Sequence, residues 1–223
     1  MPQSSLKGTD PGCFGGPDHD CPLCPRLVEF RHENRRKFPS FHNGPVPSFG
    51  SLEARILLVG LGPGLKGANA TGRPFTGDWA GDLLYSTLLK FGCAQGVYDE
   101  RPDDGLELKD VRITNAARCV PPANRPTTPE AKACRPFLTQ EMAAMPNLRA
   151  ILAIGGFAHD AILAARGLKK GAYGFAHGAI HQLPGGLVVV DSYHCSRLNT
   201  NTGRLTEAMF HQVFATLVAA AHN

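Results

Sequence analysis

RILLVGLGPGLKGANATGRPFTGDWAGDLLYSTLLKF, residues 55–91, decides the fold. Arg55 to Gly60 has the length and β-branched content of a buried strand, and Trp79 to Phe91 has the composition of a helix. Between them runs a long loop rich in glycine and proline. Strand, loop and helix in this order open an α/β layer fold, in which chemistry collects beyond the carboxyl ends of the strands.

Working outward, further strands are predicted at Val111–Thr114, Ala150–Ile154 and Leu187–Val190. A helix is predicted over Leu27–Phe38, with Arg31, Arg35, Arg36 and Lys37 forming a cationic cluster on a solvated face. Another starts at Thr127 or Thr128, where Pro129 and Glu130 suit a first turn. Phe157–Arg166 and Thr206–Ala221 follow, the last carrying Met209, Phe210, Val213, Phe214 and Leu217 as a core-facing stripe. The alternation predicts a three-layer α/β/α sandwich around a mainly parallel four-stranded sheet, one domain over residues 1–223 with an irregular arm at 1–20. Three loops after strands stand out: 61–78, 115–126 and 191–204.

Across 223 residues, 23 Lys+Arg against 19 Asp+Glu leave a net charge of +4, which alone is no strong nucleic-acid signal. With 43% hydrophobic and 19% charged residues, the composition excludes a largely disordered chain. No apolar run is long enough for a bilayer and the N-terminus lacks a secretory core, so a soluble, cytoplasmic protein is expected. In a chain too long to need disulfide staples, seven cysteines point to metal binding or chemistry. Cys21 and Cys24 form C-P-L-C-P, and Cys119 and Cys134 form C-x14-C. Four thiolates fit either tetrahedral zinc or a cubane iron–sulfur cluster, and the wide second pair suits the bulkier group. Cys93 reads as core packing and Cys13 as an alternative ligand.

Gly62 to Gly67 formally satisfies G-x-G-x-x-G, but Asn69 to Pro74 reads as continuing loop rather than the helix that a dinucleotide site requires. A phosphate loop fails as well, because Ala68 stands where its lysine would be. What remains is a stiff loop whose backbone approaches a ligand, ending at Asp78, a preferred helix N-cap.

Taken together, GLGPGLKGANATGRPFTGD (60–78), TNAARCVPPANRPTTPE (114–130) and SYHCSRLNTNTGRLT (192–206) resemble the uracil-DNA glycosylase superfamily, and within it the bacterial iron–sulfur family 5, or type B. The resemblance covers the chain from Cys21 onward. It implies a monofunctional, water-mediated DNA glycosylase acting on flipped-out uracil and other damaged bases, with DNA as partner, a monomeric state and a [4Fe–4S] cluster on Cys21, Cys24, Cys119 and Cys134; zinc is the alternative metal. Asp78, Asn124 and His194 are the implied catalytic residues. Gly62, Gly64, Phe75 and Asn115 are implied around the base, with Phe75 stacking and Asn115 reading its edge. Arg73, Arg125, Ser196, Arg197, Leu198 and Arg204 are expected along the DNA, Arg197 and Leu198 filling the vacated space. Two departures matter: Leu61 replaces the acid found after the first glycine in type A relatives, and Cys195 replaces the proline usual after the motif histidine. They leave a noncatalytic iron–sulfur or zinc nucleic-acid-binding protein as the rival function.

Overall fold

A computed structural model describes residues 15–222; Cys13 lies outside them. The elements in order are α1 (Pro25–Lys37), β1 (Ile56–Gly60), α2 (Ala68–Thr71), α3 (Trp79–Lys90), β2 (Ala94–Gln95), β3 (Glu107–Leu108), β4 (Val111–Asn115), α4 (Thr128–Ala143), β5 (Ala150–Ile154), α5 (Gly156–Ala165), β6 (Ile180–Gln182), β7 (Val188–Ser192), α6 (Arg197–Asn201) and α7 (Glu207–His222). The main sheet has the order β4-β1-β5-β7-β6. Its first four strands are parallel and fully buried.

Strand alternation assigns the two faces. Ile56, Leu58, Leu152, Ile154 and Val190 pack with Leu84 and Leu88 of α3 and Phe210 and Phe214 of α7. Leu57, Val59, Ile151, Ala153 and Val189 pack with Leu138 and Met142 of α4 and Ile162 and Leu163 of α5. The three-layer sandwich therefore stands as expected, and so does the core-facing stripe of α7. The sheet has five strands rather than four: β6 adds antiparallel to β7 at the edge. Its three residues, with Ile180 exposed, lack the apolar run that marks a central strand.

One further difference is local. Residues 68–71 make one helical turn, stopped by Gly72 at φ 75°, where continuous loop is predicted. Helix α4 starts after Thr127, whose hydroxyl and Glu130 form a reciprocal capping box. No described helix is long and apolar enough to cross a membrane. The loops after β1, β4 and β7 all leave the same carboxyl edge of the sheet, which brings the three sequence motifs together.

Candidate active site

Gly60 ends β1 directly opposite Asn115 at the end of β4. A β-carbon on Gly60 would stand 2.5 Å from Asn115 Oδ1 and 2.6 Å from Phe75 Cζ. Only glycine lets these two side chains meet there. Phe75 is buried in the left-handed region at φ 56°, which costs a bulky residue on the order of 1–3 kcal/mol and marks functional turns. The turn is held by the Tyr85 hydroxyl, which donates to the Pro74 carbonyl at 2.6 Å. Across it, the Phe75 and His194 rings face each other at 6.5 Å with 29° between their planes.

Asp78 serves two purposes. Its Oδ1 accepts the Gly81 N–H at 3.2 Å as the cap of α3. Its Oδ2 lies against the glycine-rich loop, 3.1 Å from where a Gly64 β-carbon would stand and 2.6 Å from that of Gly67. Burial raises the carboxyl pKa above its ordinary value, and the Gly81 and Ala80 amides offset part of that rise.

His194 follows β7. The Asn199 amide donates to its carbonyl at 2.8 Å, and Gly155, at φ 94°, leaves room 3.4 Å from its Cβ. Burial depresses the imidazole pKa, so the ring is neutral at neutral pH. Its Nδ1 is buried without a hydrogen-bond partner. Neighbouring Cys195 is fully buried and its thiol is pushed up to about 12 by burial, which removes it as a thiolate nucleophile.

Asp78, Asn124 and His194 border one cleft of about 360 Å³, together with Gly62, Gly64, Ser196 and Arg197. That volume is in the range of small-ligand sites. Asn124 projects from the turn Pro122–Asn124 with φ 54°, also left-handed. Leu61 lines the cleft as well, and an aliphatic side chain cannot polarise water. Phe75 and Asn115 stand beside the cleft at Gly60. A larger hollow of about 490 Å³ near Tyr98 is walled by Asp82, Asp99 and Glu100 and includes no residue of the three motif loops. Its charge is wrong for phosphate.

At the rim, Leu198 is 72% exposed. The Arg197 guanidinium sits 5.3 Å over the Trp79 ring, and Trp79 Nε1 donates to Thr200 Oγ1 at 2.8 Å. Arg204 covers Tyr193 at 4.6 Å, and Arg125 is exposed beside Asn124. Arg73 is a correction: it is buried, donates through both terminal nitrogens to Asp104 at 2.8 and 2.6 Å, and lies over Phe49, Tyr85 and Tyr98. It braces the first loop and is turned away from solvent. Trp79 is the residue that sequence reasoning missed. As the chain's single tryptophan, directly after Asp78, it was legible only as the start of a helix.

Cys21, Cys24, Cys119 and Cys134 converge on one small enclosed space, also bordered by Arg31 and Arg118. Burial pushes the Cys119 thiol up to about 12. Hydrogen bonding with Cys24 lowers the Cys134 pKa below the ordinary thiol value. Arg31 is a second correction: it is buried on this side of α1, not part of a solvated cationic face.

Elsewhere, Asp191 accepts from His159 Nδ1 at 2.8 Å and His181 Nε2 at 2.9 Å, a grouping that could also hold a metal ion. His159 Nε2 faces the Tyr173 carbonyl at 2.9 Å. Both ring nitrogens of His159 therefore point at oxygen acceptors, which a protonated imidazolium satisfies. Burial disfavours that charge, but the hydrogen bond and charge of Asp191 outweigh it and raise the pKa.

The comparisons with known proteins agree with this geometry. The model of the uracil DNA glycosylase superfamily matches residues 47–218. A type-5 uracil-DNA glycosylase of Thermus thermophilus is 48% identical over 198 residues, 86% of this chain and 90% of the relative. Type-5 uracil-DNA glycosylases of Mycobacterium leprae and Pyrobaculum aerophilum are 42% and 40% identical, covering 87% and 91% of this chain and 88% and 89% of theirs. With three motif loops meeting on one sheet edge and similarity of this extent, the chain belongs to the uracil DNA glycosylase superfamily, alongside its type-5 members.

Proposed function

We propose that the protein is a monofunctional DNA repair glycosylase that hydrolyses the N-glycosidic bond of uracil in DNA, with other deaminated or damaged bases as further substrates. Beyond family membership, the observation that carries this reading is the Asp78 carboxylate, its Oδ2 turned to the glycine-rich loop, in one cleft with Asn124 and a neutral, partly unpartnered His194. Bond cleavage leaves positive charge on the sugar and negative charge on the departing base. Asp78 faces the first as a carboxylate and, with the Asn124 amide, holds the attacking water. His194 supports the second by hydrogen bonding to the base oxygen. Phe75 and Asn115 supply the stacking face and the edge-reading amide for the flipped base. No lysine borders this cleft, so a Schiff-base lyase step has no nucleophile here. Arg125, Ser196, Arg197, Leu198 and Arg204 form the DNA rim, and the protein acts as a monomer on it.

Four cysteines around one space suit a [4Fe–4S] cluster, and the buried, unpartnered Nε of Arg31 beside them suits an anionic group. Cys21 and Cys24 from the arm, Cys119 from the second motif loop and Cys134 from α4 would hold it. Its role when bound is to cross-link these segments and so steady the stretch from Asn115 to Asn124. The test is base release from uracil-, hypoxanthine- and xanthine-containing oligonucleotides, single- and double-stranded, read as strand scission after alkali. Salt-sensitive binding with no release from any of them contradicts the proposal in favour of a noncatalytic binding protein.

A further inference from the structure

Arg31 is placed by helix periodicity. Leu27, Arg31 and Asn34 are the buried residues of α1, spaced four and three apart on one face that continues from Cys24 at the N-cap. Residues to either side, such as Arg35, take solvent-side partners. The Arg31 side chain, only 3% exposed, therefore lies against the cysteines.

One end of its guanidinium is fixed, Nη1 donating to the Cys21 carbonyl at 3.1 Å, while Nε is buried with no partner. A buried, unsatisfied donor costs roughly 1–3 kcal/mol and calls for an explanation. A buried cation without a counter-charge costs more. Among the described residues, no carboxylate comes within ion-pair distance of Arg31; Asp20, an exposed carboxylate already paired with Arg35, acts on it only at longer range. Arg118, which borders the same space, is by contrast ion-paired with Glu141 and donates to Ser48 Oγ at 2.7 Å. The remaining acceptors for Arg31 are the sulfurs it faces and whatever group they hold.

We propose that Arg31 is the counter-cation of the four-cysteine centre, its fixed guanidinium offering the Nε–H to the sulfurs and offsetting part of their negative charge. The inference rests on the metal-centre reading above, and it assigns Arg31 a positioning and tuning role rather than a part in base excision. A guanidinium there favours the more negatively charged state of the centre, so its removal lowers the reduction potential. It also bridges the Cys21 backbone to the centre, so removal speeds metal loss.

The experiment uses the full chain purified without oxygen, with iron and sulfide counted first. Arg31→Met is expected to lower the midpoint potential by at least a tenfold change in the one-electron equilibrium, about 59 mV, and to shorten the half-life of the cluster absorbance under a chelator in air. Arg31→Lys, keeping the charge without the planar donor fork, should recover part of the potential. Should the Met variant fail to fold, Arg31→Gln supplies the neutral comparison. Wild-type potential and half-life in the neutral variant overturn the role of Arg31 while leaving the cluster in place. A wild-type protein with zinc and no iron overturns the cluster instead, and zinc affinity by chelator competition then decides Arg31: weaker binding in Arg31→Met supports it and equal binding overturns it. If the wild type holds neither metal, both readings fall.

Discussion

Asp78 and Gly67 touch so closely that a β-carbon on Gly67 would stand 2.6 Å from Asp78 Oδ2 and equally near Asp78 Cβ. The glycine-rich loop is thus a seat for a carboxylate, where a superficial match to a dinucleotide fingerprint suggests a seat for phosphate. Gly67→Ala should displace the carboxylate and cut the excision rate about 10–100-fold, with DNA affinity by anisotropy unchanged. A wild-type rate in this variant would mean that the contact does not position Asp78.

Burial raises the Asp78 pKa, so ionising it in the folded protein works against stability. With the folded pKa above the unfolded one, the favourable contribution is complete below about 3.8 and is lost as pH rises through the folded value. Asp78→Asn keeps a good cap and removes the buried charge. Its Tm should exceed that of wild type at pH 7.5, by a margin that narrows at pH 4.5, although activity is lost. Thermal melts at both pH values check this, and a Tm below wild type at pH 7.5 counts against a destabilising carboxylate.

His159 and Asp191 work in the opposite sense. The raised pKa of His159 means that its pairing with Asp191 stabilises the fold fully below about pH 6.5 and less as pH rises through the folded value. Asp191→Ala should destabilise by roughly 3–5 kcal/mol, because it leaves a buried imidazolium or a buried unpaired ring. Chemical denaturation at pH 6 and pH 9 should show a larger loss at pH 6. Equal losses would mean that the pair is not charged.

Arg73 and Arg197 should separate cleanly despite equal formal charge. Arg73→Ala breaks a buried ion pair with Asp104 and should lower stability while leaving the salt dependence of DNA binding unchanged. Arg197→Ala should leave stability within about 0.5 kcal/mol of wild type and reduce the slope of log affinity against log salt by about one phosphate contact. Leu198→Ala, at an exposed tip, should slow excision from duplex more than from single strands.

Much of this was legible in residue order. β1, β4, β5 and β7 are short buried runs whose burial on both faces erases alternation but leaves a strong apolar signal. Asp78 was readable both as cap and as carboxylate, because its position before α3 and after the glycine loop carries both facts. Arg73 and Arg31 were not readable. Whether an arginine meets solvent or a buried partner depends on Asp104, 31 residues away, or on a cysteine space assembled from three segments. The pairing of Trp79 with Thr200 spans 121 residues, and β6 depends on β7 for its partner, so neither leaves a local trace.

The most direct test of the account is the single-turnover rate of uracil release from a single-stranded oligonucleotide, compared between wild type and Asp78→Asn at pH 7.5 with DNA affinity measured in parallel. The account predicts robust release by wild type, a loss of about 10²–10⁴-fold in the variant and unchanged affinity. Release by Asp78→Asn at the wild-type rate would contradict it.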